Sequence, residues 1–287
     1  MKGMVITMND SLKLFFGRWA LRILLLIYTM ITLYPLLWNI MNSFRTNFEI
    51  LMDRSALPTH FAWENYQRAW EAANMGAYLG NSIFVVLLSL LILLVLVVPC
   101  AHALSRFKFF GHRAIEVIFI ICLFITSIYI LIPLYVLLHN MNMLDNLWAL
   151  SLVYAISGVP FSTFLLAGYM RTISNTYVEA ARIDGANNLM IMLRIVVPLA
   201  KPGIITICML NAMGFWNELF LAMVLLRDPA LHTLPVGVAN LFEVQQRMTD
   251  WGALYAALIV VLIPTVIIYI IGQKYLIGSF NMGGVKE

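Results

Sequence analysis

Six stretches of this chain, 19–41, 79–104, 114–138, 147–170, 203–226 and 253–277, are apolar over a length that can cross a bilayer, whose hydrocarbon core takes about 20 residues of helix. In hydrocarbon every backbone amide has to be satisfied within the protein, which leaves helices or closed barrels. Barrel strands would alternate polar and apolar residues, and these runs do not. The sequence therefore predicts an all-α fold with six transmembrane helices over 19–277, preceded by a segment 1–18 and followed by a tail 278–287. A hydrophobic share of 62% against 11% charged residues excludes a soluble domain, where apolar residues make up about 45–50%.

The placement of charge sets an expected orientation. With the amino terminus inside, only Arg45, Arg54, Arg68, Arg227 and Arg247 fall on the outer side, leaving 13 of the 18 Lys and Arg on the cytoplasmic side. Basic residues concentrate on the cytoplasmic flanks of spans, so both termini are expected in the cytoplasm. The long outer loops 42–78 and 227–252, rich in aromatic and amide residues, are then free to face a soluble partner. The first stretch carries Arg22 inside its start and lacks a short apolar region followed by a small-residue cleavage site, which predicts a retained helix. Cys100, Cys122 and Cys208 lie inside apolar stretches without a CxxC pair, so they are expected as packing residues, with no disulfide framework and no metal site. The modest net charge of +4 implies no nucleic-acid partner.

No segment matches GxxxxGK[ST], the loop whose amides cradle nucleotide phosphates. The chain is expected to bind no cofactor and to be no enzyme itself. If ATP drives it, ATP and Mg sit on partner ATPase subunits.

The most informative connection is 171–202, RTISNTYVEAARIDGANNLMIMLRIVVPLAKP. Thr176 with Glu179 three residues later has the spacing of a capping box, and Gly185 that of a left-handed helix stop. Asn187 or Asn188 is then placed to cap a second short helix, which Pro198 is expected to end. Ala180 and Ala181 are expected to be exposed beside an apolar strip, a surface of the kind that a partner covers. Glu179, Arg182 and Asp184 around them offer charge pairs that fix the register of a contact.

At Glu179, Ala180, Ala181, Asp184, Gly185, Ala186 and Pro198 the chain resembles the inner-membrane permeases of binding-protein-dependent ABC importers, whose signature is EAAxxDGA followed by a proline. Within that group it looks like the second permease of the carbohydrate-uptake branch, the MalG relatives, through YPLLWNIMNSFRT, ENYQRAW, IPLYVLLHNMNMLDN, FWNELFLAMVLL, HTLPVG and the ending GGVKE. The resemblance implies a type I importer permease in the plasma membrane of a prokaryote. It implies that the loop is a coupling helix seated on an ATPase subunit, with a second homologous permease, two ATPase subunits and an extracytoplasmic sugar-binding protein as partners. It also implies that the tail residues Gly283, Gly284 and Lys286 reach the ATPase. Two positions depart from the family pattern: Ser174, Asn175 and Thr176 stand where a proline is usual before the triplet, and Met192 replaces an aromatic.

Inside the spans, Glu218 is the one ionisable residue well within an apolar stretch, about 12 Å below the outer end of the fifth at about 1.5 Å per residue. An intramembrane charge is a functional candidate. Trp216, Asn217, Glu218 and Asn211 are therefore candidates for a substrate path, and a structural hydrogen bond from Glu218 to a neighbouring helix or to the partner permease is the competing reading. The spans carry no basic residue at depth, which points to an uncharged sugar or oligosaccharide. The alternatives are an ion-coupled secondary transporter, which Glu218 alone serves poorly, and an ABC permease for a non-sugar solute.

Overall fold

The computed structural model describes residues 8–53, 56–72, 74–248 and 250–281, with backbone only at 8–16, 72, 127, 243–248 and 275–281. The described residues form helices and no strands. These are α1 (Met8–Ser43), α2 (Asn47–Met52), α3 (Glu64–Ala72), α4 (Met75–Arg106), α5 (His112–Cys122), α6 (Ser127–Asn140) and α7 (Leu147–Arg171). After them come α8 (Asn175–Ile183), α9 (Asn188–Ile191), a π-turn (Met192–Val196), α10 (Val197–Leu199), α11 (Lys201–Trp216), α12 (Phe220–Leu225), α13 (Leu234–Met248) and α14 (Trp251–Asn281). The chain divides into two compact units, Met1–Ala69 with Arg247–Ile259, and Trp70–Gln246 with Val260–Glu287.

In the first unit, α1 runs as a continuous apolar helix of which nothing in its most apolar window is buried by the chain itself. Beyond it the backbone closes on Arg45, a fully buried arginine. Its guanidinium donates to Asn42 Oδ1 at 3.0 Å, to the Glu49 carbonyl at 2.7 Å and to the Asp53 carbonyl, so a charge is held by carbonyl dipoles rather than left bare. Asn65 Nδ2 donates to the carbonyls of Ser43 and Arg45 at 2.8 Å each. Thr46 and Glu49 form a reciprocal capping box at the start of α2. The Glu49 carboxylate also accepts the Thr59 hydroxyl and, at 3.1 Å, the Thr59 amide. The Thr59 hydroxyl and then the Thr46 amide hold the Glu49 carboxyl down at about 2.

The second unit is built on α4 and α7, which pack along each other, with α11 against both. Val85, Leu93, Val97 and Ala101 of α4 and Leu150, Tyr154, Leu166 and Met170 of α7 are all buried. The close approach of α11 to α7 depends on Gly158, because a Cβ there would lie 2.5 Å from Asn211 Oδ1.

Four of the expected spans appear as single helices long and apolar enough to cross, in α1, α4, α7 and α14. The other two are interrupted. The stretch 114–138 divides at Leu123–Thr126 into α5 and α6, of 11 and 14 residues, with the amides of Leu123, Phe124 and Ile125 bonded to carbonyls three residues back. Tight i→i+3 bonds of this kind end a helix while keeping its amides satisfied. The stretch 203–226 breaks at Asn217–Leu219 between α11 and α12, and α11 is itself turned by 75° from the helical segment Asn188–Leu199.

Candidate functional site

The loop 171–202 forms two short helices meeting at a glycine. Gly185 has φ of +81°, a conformation open to glycine without steric cost. Around it the Gly185 amide donates to the Arg182 carbonyl at 3.1 Å and the Ala186 amide to the Ala181 carbonyl at 2.9 Å, which closes the last turn of α8. Asn187 caps α9, its side-chain oxygen accepting the Met190 amide at 2.8 Å.

Three local expectations are corrected here. The cap of α8 is Ser174, whose hydroxyl accepts the Thr176 amide at 3.3 Å. Thr176 lies inside the first turn, so its box with Glu179 does not form. A serine two residues upstream already satisfies that amide. Second, Pro198 does not end the helix. A π-turn over Met192–Val196 precedes it, the Val197 amide reaching back to the Met192 carbonyl. The wider turn accommodates a residue that has no N–H and whose ring would crowd the preceding turn. The helical segment then ends at Ala200, where the chain bends. Third, Ala181, expected to be exposed, is buried within the chain, and so is Met192, which the resemblance places among the coupling residues.

The outward surface of the loop is carried by other residues. Ala180, Glu179, Arg182, Asp184 and Pro198 are exposed and Ala186 is partly so. Tyr177 is 57%, Leu189 61% and Ile183 86% exposed, so a set of large apolar side chains flanks the acidic and basic residues. Sequence reasoning fixed on the small residues of the motif and missed Ile183. The signal for it was the helical spacing, since Ile183 and Glu179 are four residues apart and lie on one face.

The base of the loop is tied to two other helices. Arg106, the last residue of α4, donates to the carbonyls of Met170 at 2.8 Å and Ile173 at 2.9 Å, and to Asn175 Oδ1. Arg171, the last residue of α7, donates to the Leu104 carbonyl at 3.3 Å and pairs with Glu116 of α5.

Within the membrane-length segments, Glu218 lies at the break between α11 and α12. Its Oε1 accepts the Leu221 amide at 2.9 Å, and its Oε2 accepts the Ala222 amide at 3.1 Å and the Tyr154 hydroxyl at 2.7 Å. Tyr154 is 1% exposed and stacks on Phe215 with centroids 5.5 Å apart. Trp216 is buried and donates to the Val261 carbonyl at 3.0 Å. Asn211 donates to Ser162 Oγ and to the Ile207 carbonyl, both at 2.7 Å. Of the four path candidates, Asn217 alone is exposed, donating to the Met213 carbonyl at 2.8 Å and to Thr265 Oγ1 at 3.3 Å. Gly283, Gly284 and Lys286 lie outside the described residues.

The family described as binding-protein-dependent transport system inner membrane component matches residues 94–280, a segment that contains both the loop and the Glu218 break. The chain belongs to that family. It is therefore a component of a membrane transport system. It is 34% identical over 91% of its length to the diacetylchitobiose uptake system permease protein NgcG of Streptomyces coelicolor, covering 86% of that protein. It is 32% identical to the galactooligosaccharides transport system permease protein GanQ of Bacillus subtilis, over 92% of this chain and 94% of the other. Its identity to the multiple sugar-binding transport system permease protein MsmG of Streptococcus mutans is 30%, over 92% and 95%. Among solved structures, a chain of a bacterial ABC transporter involved in the import of the acidic polysaccharide alginate superposes with a TM-score of 0.79 at 27% identity, covering 95% of this chain and 99% of that one. The long, apolar, interrupted helices are thus those of an ABC importer permease fold.

Proposed function

We propose that this chain is one of two permease subunits of a bacterial importer that admits an uncharged sugar or oligosaccharide, delivered by an extracytoplasmic binding protein, by alternating access. The observation that carries the reading is the family match taken together with α8, a short helix that presents Ile183 and Tyr177 to the solvent. A large apolar side chain exposed beside charged residues on a small motif is what a docking contact requires. In this reading α8 seats on an ATPase subunit, and ATP-driven closure of the ATPase dimer turns the span helices toward the outward-open state. ATP and Mg are held by the ATPase subunits.

The chain crosses the membrane six times with both termini in the cytoplasm, two of the crossings being the interrupted pairs α5 with α6 and α11 with α12. The excess of Lys and Arg on one side favours this orientation. The bare apolar length of α1 favours a lipid or second-permease neighbour. The sugar class rests on the relatives named for diacetylchitobiose, galactooligosaccharides and multiple sugars. The path past Asn217 and Glu218, and the reach of Gly283, Gly284 and Lys286 toward the ATPase, belong to the same proposal.

The test is Ile183→Asp in the complete complex. A charge on this exposed side chain leaves the fold of the chain intact and is expected to weaken co-purification of the ATPase subunits about tenfold or more, the range of a buried interface anchor. Undiminished co-purification together with undiminished transport would overturn the docking assignment.

A further inference from the structure

α8 buries only Val178 and Ala181 against the rest of the chain, so its apolar grip is slight. A helix that transmits force needs a directional tie as well. That tie is present at its first residue, where the side chain of Asn175 accepts from Arg106. The same guanidinium holds the carbonyls of Met170, in the last turn of α7, and of Ile173, in the link between α7 and α8. One planar fork therefore joins the end of α4, the end of α7 and the start of α8. The bonds are charge-assisted, hence shorter and stronger than neutral ones, and the fork fixes direction as well as distance. Arg171 returns the contact from α7 to the Leu104 carbonyl of α4 and extends it through Glu116 to α5. The two arginines, 106 and 171, each end one of the long paired helices and each bond to the end of the other.

We infer that Arg106 is the positioning residue through which displacement of α8 reaches α4, with Arg171 and Glu116 carrying the same displacement to α5. The inference rests on the reading of α8 as the ATPase-docking helix. A merely structural role predicts that replacing Arg106 lowers assembly; a transmitting role predicts that it changes how much substrate moves per ATP consumed.

The experiment uses the full complex in proteoliposomes with its loaded binding protein and reads sugar imported per ATP hydrolysed. Arg106→Ala is expected to lower that ratio about tenfold, a size ordinary for coupling between sites. Arg106→Lys is expected to fail to restore it, because an ammonium cannot serve three acceptors in a plane. Asn175→Ala, which removes one acceptor and leaves the backbone whole, is expected to lower the ratio about threefold, the effect of one hydrogen bond. An unchanged ratio in Arg106→Ala overturns the inference. If Arg106→Ala does not assemble, Asn175→Ala decides, and an unchanged ratio there overturns it equally. Undiminished co-purification and transport in Ile183→Asp would overturn the docking reading itself, which separates that failure from failure of the arginine joint.

Discussion

The break at Gly185 and the break at Glu218 solve the same problem in different solvents. Each ends one helix and starts another a few residues on, and each leaves amides that need acceptors. On the exposed loop the acceptors are neutral and small, the Ser174 hydroxyl at the start of α8 and the Asn187 amide oxygen at the start of α9 beyond Gly185. In the apolar stretch 203–226 the acceptor is a carboxylate that serves two amides at once and is held by the hydroxyl of a buried tyrosine. Water completes a poor cap at no great cost, whereas hydrocarbon leaves an unpaired amide at a cost of several kcal/mol. A helix break inside a membrane therefore needs a stronger and better-held acceptor than one outside it.

The largest effect that would sharpen this contrast is expected for Glu218→Leu. Loss of one acceptor for two amides and a tyrosine hydroxyl is expected to destabilise the chain in detergent by about 3 kcal/mol or more, since each buried group left unpaired costs about 1–3 kcal/mol. Glu218→Gln keeps one acceptor oxygen and is expected to cost less. Thermal unfolding of the two variants, compared with Tyr154→Phe, measures the difference; equal and small losses would mean that the cap contributes little and would favour a substrate-path role.

At the exposed break the effects are smaller. Ser174→Ala is expected to cost about 1 kcal/mol of local helix stability, as for other capping serines, whereas Thr176→Ala is expected to stay within about 0.5 kcal/mol. Amide exchange in α8 separates the two, and the reverse order would restore Thr176 as the cap.

The smallest effect at neutral pH concerns Glu49, a carboxylate cap placed in water. Its folded carboxyl lies at about 2 against an ordinary 4.5. A carboxyl lowered on folding adds stability that is present above about 4.5 and is lost as pH falls toward 2. Protection of the α2 amides should therefore decline across that window and remain flat above it. Glu49→Gln should abolish the dependence, and persistence of the dependence in that variant would assign it to another group.

Two Thr-x-x-Glu patterns show how far local rules reach. Thr46 with Glu49 forms a capping box and Thr176 with Glu179 does not, although the spacing is the same. The difference is Ser174, which starts the second helix before Thr176 can cap it. Gly185 and Asn187 behave as the sequence predicts because a left-handed turn and an Asn cap need only neighbours along the chain. Arg45 was legible only as an outer charge, yet it is fully buried, because the carbonyls of Glu49 and Asp53 converge on it. Arg106 was legible only as a cytoplasmic charge, because its partners are 64 and more residues away.

What the sequence determined by itself is the class of solvent, the helical fold and the position of the signature loop, since these follow from apolar length and from turn chemistry that acts over a few residues. Where the spans break, which side of α8 faces outward and which arginines hold its base were decided by tertiary structure. Those outcomes depend on acceptors brought together from distant segments, as Tyr154 and Leu221 are at Glu218, and hydrogen-bond satisfaction in a low-dielectric interior is settled by the whole packing rather than by any one stretch.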